Sequence, residues 1–274
     1  MLNLHRKELM KELYSKKEMI DGNILYNADC FDVFSEIQDA SIDAVICDLP
    51  YGVTQNEKDV MLPFDRLWEQ YNRVIKENGA ILLFAQGLFY VDLVNSNRKM
   101  FKYDLVWDKI LTSGFLNANR MPLRSHEQIA VFYKKQPTYN PQFTEGEPSH
   151  SKGTKYLTKT QTNQNYGEFK PLEETDQDTS KKHPKSIIQF QKPHPSIAVH
   201  RTEKSVEMLE WLVRTYTNEG DVVLDNTMGS CTTGLASVKN KRLFIGIEKD
   251  EKYFDISVKR MKDYFKTKQS ALWE

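Results

Sequence analysis

Short apolar runs rich in β-branched residues alternate along this chain with stretches whose apolar positions recur at helical spacing. Residues 23–27, 42–47, 80–85, 103–107, 128–133, 222–225 and 243–248 read as strands. Residues 63–76 place Phe64, Leu67, Trp68, Tyr71, Val74 and Ile75 on one face of a helix, with Asn78-Gly79 as its stop. Residues 206–215, a segment running to Asn240, and 253–265 read as further helices. Residues 1–20 read as an amphipathic helix ending at a turn, Asp21-Gly22. Strands that alternate with amphipathic helices need a cover on both sheet faces. The pattern therefore predicts an α/β fold with a doubly wound, mainly parallel sheet.

A chain of 274 residues can hold one large domain of this kind with an insertion. Hydrophobic residues make up 39% and charged residues 28%, a globular rather than disordered composition. The longest apolar runs, such as 80–85, are too short to cross a bilayer, and the charged start has no signal-peptide pattern, so no membrane and a cytoplasmic location are expected. Cys30, Cys47 and Cys231 are widely spaced, which suggests neither a disulfide framework nor a metal site. The net charge of zero gives no support for a nucleic-acid partner by itself. From Arg98 to Lys135, however, eight Lys or Arg stand against three acidic residues. Such a stripe can follow phosphates, although an ordinary solvated face has the same charge. Residues 136–185 lose periodicity and are long for a loop, which marks a functional segment or an inserted subdomain.

Two constellations carry chemistry. Residues 225–234, DNTMGSCTTG, lie between a strand and a helix, where small residues such as Gly229 and Ser230 let a ligand approach backbone amides. Glu248 ends the following strand, where a carboxylate can accept hydrogen bonds from both ribose hydroxyls of a nucleoside. Leu235 stands where a triphosphate-binding loop needs Lys. The second constellation, Asp48-Leu49-Pro50-Tyr51, also follows a strand. An aromatic amine is a poor nucleophile because its lone pair is delocalised, and it must be oriented by groups that accept its protons. The Asp48 side chain and the Leu49 carbonyl can do so, Pro50 stiffens the turn, and Tyr51 offers a stacking face for an extruded base. Phe84-Ala85-Gln86-Gly87 ends a strand that can line the same pocket. Taken singly, each constellation is compatible with a plain surface turn.

Together, and in this order, the two motifs resemble the amino-group DNA methyltransferases of the permuted β class, in which a D-P-P-Y-type motif precedes the target-recognition region and the cofactor loop follows. The likeness runs from about Asn23 to Arg260. It implies a circularly permuted, Rossmann-like methyltransferase fold with S-adenosyl-L-methionine as cofactor and DNA as partner. It implies that Asp29, in Asn27-Ala28-Asp29-Cys30, contacts the cofactor's adenine. It implies that Thr202, Glu203 and Lys204, in a segment similar to H-P-T-E-K-P, line the methionine end. Asp225, Thr227, Gly229, Ser230 and Glu248 complete the implied cofactor site. Asn117, Asn119, Arg120 and Arg124 form a basic polar loop expected to meet DNA. The implied division is 1–22 as a helical extension, 23–135 as the catalytic half, 136–195 as the target-recognition region and 196–274 as the cofactor half. Four departures stand out: Leu49 replaces a proline, Arg201 and Ser205 replace two more, and Cys231 replaces a glycine.

The expected reaction is direct displacement at the sulfonium methyl, with adenine N6 as acceptor because Asp at position 48 is commoner in the adenine enzymes. Cytosine N4 is the alternative, as is a cofactor-dependent DNA-binding protein with little catalysis, and an RNA or nucleoside acceptor is a third option. Cytosine C5 is excluded, since no cysteine follows a proline. The reading allows a homodimer and is silent on a restriction endonuclease partner.

Overall fold

The computed structural model describes residues 13–52, 59–147, 161–163, 167–169, 180–192 and 204–270. Along the chain lie β1 (Lys16–Ile20), β2 (Asn23–Asn27), α1 (Cys30–Val33), β3 (Ile42–Cys47), α2 (Phe64–Val74), β4 (Ile75–Ala85), α3 (Gly87–Ser96), β5 (Phe101–Ser113), β6 (Arg124–Phe132), β7 (Ile187–Gln189), α4 (Val206–Tyr216), β8 (Val222–Asp225), α5 (Thr232–Lys239), β9 (Leu243–Glu248) and α6 (Glu251–Ser270). The nine strands form one sheet in the order β1-β2-β9-β8-β3-β4-β6-β5-β7. Pairing is parallel except at β1–β2, β4–β6 and β5–β6.

Alternation along the central strands divides the core in two. Ala44 and Ile46 of β3 face a cluster with Leu82, Leu209, Leu212, Ala236 and Phe254, under α4, α5 and α6. Val45 and Cys47 face the opposite cluster with Leu67, Trp68, Tyr71, Leu83 and Phe89, under α1, α2 and α3. Successive strand residues point to opposite sides, so a strand covered on both faces is apolar throughout. That is the doubly wound sheet the alternation predicts.

Three local expectations change. Lys16–Ile20 is an edge strand, not part of a helix, and Ile20 pairs with Asn23 across the two-residue turn Asp21-Gly22. Both turn residues have positive φ, 49° and 82°, the geometry that joins two antiparallel strands tightly. Residues 1–12, the rest of the expected helix, lie outside the described residues. Helix α2 ends at Val74, and β4 begins at Ile75 rather than after Asn78-Gly79. Gly79 lies within that strand, beside the irregular register with β3, where a Cβ would meet the Ile75 side chain and the Asp43 carbonyl at 2.6–2.8 Å. Strands β5 and β6 extend well beyond 103–107 and 128–133, as a long hairpin.

Residues 141–185 form a separate compact unit. Thr144–Glu145 pairs with Lys181–Lys182, and Gln161–Asn163 pairs with Gly167–Phe169, both antiparallel. Within it the Phe143 and His183 rings meet edge-on at 4.8 Å. Residues 187–189 belong instead to the main sheet, parallel to β5. Among the described residues no helix is long and apolar enough to cross a membrane.

Candidate active site

Because β2, β9, β8, β3 and β4 are parallel neighbours, the ends at Asn27, Glu248, Asp225, Cys47 and Ala85 share one edge of the sheet. The loops after β3 and β8 are stitched together there across 179 residues of chain. The Thr227 hydroxyl donates to the Asp48 carbonyl at 3.1 Å. Beneath it, the Asn226 Oδ1 accepts from the Tyr71 hydroxyl at 2.6 Å and the Cys47 thiol at 3.0 Å. The Asn226 amide N–H donates back to Cys47 Sγ at 3.3 Å. These groups are buried, and burial pushes the Cys47 thiol and the Tyr71 hydroxyl well up, so both act as neutral donors.

Asp48 has a partner on each oxygen. The Tyr51 hydroxyl donates to Oδ1 at 2.9 Å, and the Lys204 ammonium lies 2.7 Å from Oδ2. Lys204 also lies 3.1 Å from Glu127 Oε2, and Lys109 lies 3.1 Å from Glu127 Oε1. Four alternating charges thus run Asp48, Lys204, Glu127, Lys109. Burial pushes the Glu127 carboxyl up, but the two ammonium groups prevail and hold it down at about 2. Lys204 also sits 5.0 Å above the Phe84 ring, a cation–π contact. The Tyr51 ring stacks on Phe89 at 4.7 Å, which backs one of its faces, and Leu49 is buried. Lys109 and Glu127 carry no motif in the sequence. Glu127 stands opposite Trp107 near the root of a hairpin, Lys109 follows two residues after Trp107, and only the pairing of β5 with β6 brings them together beside Lys204 and Asp48.

On the other side of the Asp48 loop, carboxylates follow one another at the ends of β8, β9 and β2. Asp225 is buried and accepts the Thr227 N–H at 3.1 Å; burial pushes it up to about 6. Glu248 accepts the Gly229 N–H at 2.9 Å and the Asp250 N–H at 2.7 Å, and burial pushes it up to about 7. Asp29 caps α1 through the Phe31 N–H and pairs with Lys249 at 3.0 Å. Each carboxylate oxygen keeps a lone pair beyond its backbone donor. Such a row suits a ligand rich in donors and positive charge and repels a polyphosphate. S-adenosyl-L-methionine, with ribose hydroxyls, an adenine amine, an ammonium and a sulfonium, fits that demand.

The cofactor loop is held from behind. Ser257 donates to the Gly229 carbonyl at 2.8 Å, and Arg260 to that of Ser230 at 2.7 Å. Gly229 has φ 53°, and Cys231 has φ 65°, a left-handed conformation costly for a residue with a side chain, which accounts for glycine being usual at that place in similar loops. A Cβ at Gly234 would collide with Cys231 Sγ and the Phe244 ring.

Of the other expected residues, Lys204 is placed at Asp48 and Glu127, while Thr202 and Glu203 lie outside the described residues. Asn117, Asn119 and Arg120 are exposed on the β5–β6 tip, and Arg124 is tied to Gln86 Oε1 after β4. Asp29, Asp48, Asp225, Thr227, Gly229, Ser230 and Glu248 come together at one sheet edge.

Residues 42–259 match the family model described as DNA methylase, of the N6 and N4 amino-methyltransferase type. The type II methyltransferase M1.MboII of Moraxella bovis is 23% identical over 252 residues, covering 86% of this chain and 95% of that protein. The DNA adenine methyltransferase YhdJ of Escherichia coli is 24% identical over 264 residues, covering 88% and 83%. Among solved structures, the complex of M1.HpyAVI with S-adenosylmethionine has a TM-score of 0.57 at 24% identity, covering 86% of this chain and 98% of that one. The cytosine-N4-specific PvuII DNA methyltransferase has a TM-score of 0.62 at 16% identity, covering 91% and 94%. These likenesses establish a common fold.

Proposed function

The chain belongs to the DNA methylase family, whose members are S-adenosylmethionine-dependent methyltransferases, and we propose that it methylates the exocyclic N6 amino group of adenine in DNA, drawn out of the helix. The observation that carries this reading is the 3.1 Å hydrogen bond from Thr227 to the Asp48 carbonyl, because it sets the amine-accepting loop against the nucleoside-binding loop. When bound, the cofactor supplies an electrophilic methyl group on a sulfonium.

The protein's own groups do the rest. The Asp48 carboxylate and the Leu49 carbonyl accept hydrogen bonds from the two amine N–H groups, which turns the nitrogen lone pair out of the ring. Tyr51, backed by Phe89, stacks on the base. Lys204 holds Asp48 Oδ2, so the amine competes only with the neutral Tyr51 hydroxyl for Oδ1. Asp29, Asp225 and Glu248, with the Thr227–Ser230 backbone, bind the cofactor. Thr202 and Glu203 are proposed to line its methionine end. The 136–195 region, by position and composition, is the proposed target-recognition region, and Asn117, Asn119, Arg120 and Arg124 the proposed DNA contacts. The activity is assigned to the cytoplasm, where such a substrate is met. Adenine is preferred over cytosine because of Asp48, and because YhdJ is named an adenine enzyme.

Incubation with DNA and labelled S-adenosylmethionine, followed by mass spectrometry of the nucleosides, tests this. N6-methyladenine is expected, and N4-methylcytosine overturns the choice of base. Asp48→Ala should abolish transfer and leave cofactor binding intact. If wild type and variant both bind DNA and neither transfers methyl, the chain is a DNA-binding module instead.

A further inference from the structure

The tip of the β5–β6 hairpin is an apolar projection that the fold leaves bare. Residues 114–122 are exposed throughout, with Phe115 69% and Leu116 102% exposed. The tip is nevertheless built. Gly114 at φ 90° turns the chain into a short 3-10 turn, Phe115–Asn117, and the Asn117 carbonyl accepts from the Arg120 N–H at 2.8 Å and the Met121 N–H at 3.0 Å.

Its root is irregular. Asp108 stands opposite His126 and Ser113 opposite Arg124, so residues 109–112 bulge against Ser125 alone. Within the bulge Ile110 has φ 64°, a conformation a β-branched residue rarely adopts. Bulges and backbone strain gather where a strand is re-aimed beside an active site. Here the stem carries Lys109 and Glu127, the far rungs of the charge ladder that reaches Asp48. From Glu127 to Arg124 the strand advances roughly 10 Å, which sets the tip beyond the catalytic pocket on the same edge.

The chemistry of the tip is selective. No Asp or Glu lies between Asp108 and Glu127, whereas Arg120 and Arg124 flank the apolar residues. An apolar surface kept in water marks a contact with a partner, and cationic flanks without acids match a polyanion with an apolar interior. Duplex DNA has both parts: charged phosphates outside and stacked bases within.

We propose that this tip is a wedge. Phe115 and Leu116 enter the base stack beside the target and fill the space vacated when the base is drawn toward Asp48, while Arg120 and Arg124 meet the flanking phosphates. The proposal rests on the DNA methyltransferase reading above. An extruded base gives up stacking on both neighbours, and inserted apolar side chains replace part of it. Where the target is already unpaired, less is lost and the wedge matters less.

That difference gives the test. The double variant Phe115→Ala, Leu116→Ala alters exposed side chains only, so its melting temperature should match the wild type. Both proteins are assayed on duplexes carrying the methylation site mapped for the wild type, with the target either paired or opposite an abasic position. The variant should lose about tenfold to a hundredfold in kcat/KM on the paired duplex and stay near wild type opposite the abasic position. Equal losses on both substrates, or no loss on either, overturn the wedge. A change in sedimentation from dimer to monomer with equal losses also overturns it, and assigns the tip to a second copy of the chain. A wild type that methylates neither substrate sinks the methyltransferase reading itself, a result separable from all the others.

Discussion

The Lys204 ammonium lies 2.7 Å from Asp48 Oδ2 and 3.1 Å from Glu127 Oε2, so one buried cation serves two carboxylates carried by separate parts of the chain. Asp48 follows β3, Glu127 lies on β6, and Lys204 enters just before α4. The cation fixes the carboxylate that the proposed reaction uses, and it prevents the two acids from repelling one another.

Lys204→Met is therefore expected to lower stability by about 2–4 kcal/mol, since it leaves two partly buried carboxylates facing each other. Single-turnover rates should fall further than cofactor affinity does, and Lys204→Arg should recover stability better than rate. Urea denaturation and single-turnover assays check both. A Met variant as stable as the wild type would count against the ladder.

Glu127 gives the acid side of the pH profile. Its carboxyl is held at about 2 in the folded protein against 4.5 ordinarily, because Lys204 and Lys109 outweigh the upward push of burial. A depressed carboxylate stabilises the fold above its ordinary pKa, and that contribution is lost as pH falls from about 4.5 toward 2. Thermal melts over this window should show a steeper loss for the wild type than for Glu127→Gln, which should already be the less stable protein at neutral pH.

Glu248 has the opposite sign. Burial raises it to about 7, so the stability linked to its proton is full below the ordinary carboxylate pKa and is lost as pH rises through about 7. Donors from a bound ribose favour the charged form. S-adenosylmethionine affinity, measured by calorimetry, should consequently weaken by up to about tenfold from pH 8 to pH 6. In Glu248→Gln, affinity should be weaker overall and its pH dependence nearly flat.

Asn226 tests the seam under the two loops. Asn226→Ala leaves the buried Tyr71 hydroxyl and Cys47 thiol without their shared acceptor. A loss of about 1–3 kcal/mol in chemical denaturation is expected. Adding Tyr71→Phe should cost less in the Ala background than in the wild type, because the hydrogen bond is already gone. Strictly additive losses would show that the seam is not cooperative.

Much of the sheet is legible in the sequence because its central strands are buried on both faces. Such strands write themselves as mostly apolar runs, as in Ile42–Cys47, where only Asp43 is polar, and Leu243–Glu248, where only the final Glu248 is charged, and their ends match the structure. The edge strand Lys16–Ile20 is half solvated, and its Lys-Lys-Glu start reads equally well as a helix. The Asp21-Gly22 pair was the signal that could have identified the hairpin. Ile75 shows another limit, since nothing local separates the last turn of α2 from the first residue of β4.

The alternating architecture and the two loops at strand ends can be read along the chain, because local periodicity and turn chemistry act over a few residues. Which charges meet is settled in three dimensions. Lys109, Glu127 and Lys204 are far apart in the chain and carry no joint motif, and their ladder to Asp48 exists because strand order and register bring them within 3.1 Å of their partners. Such pairing is a property of the sheet as a whole, since charges interact through space and no spacing along the chain encodes it.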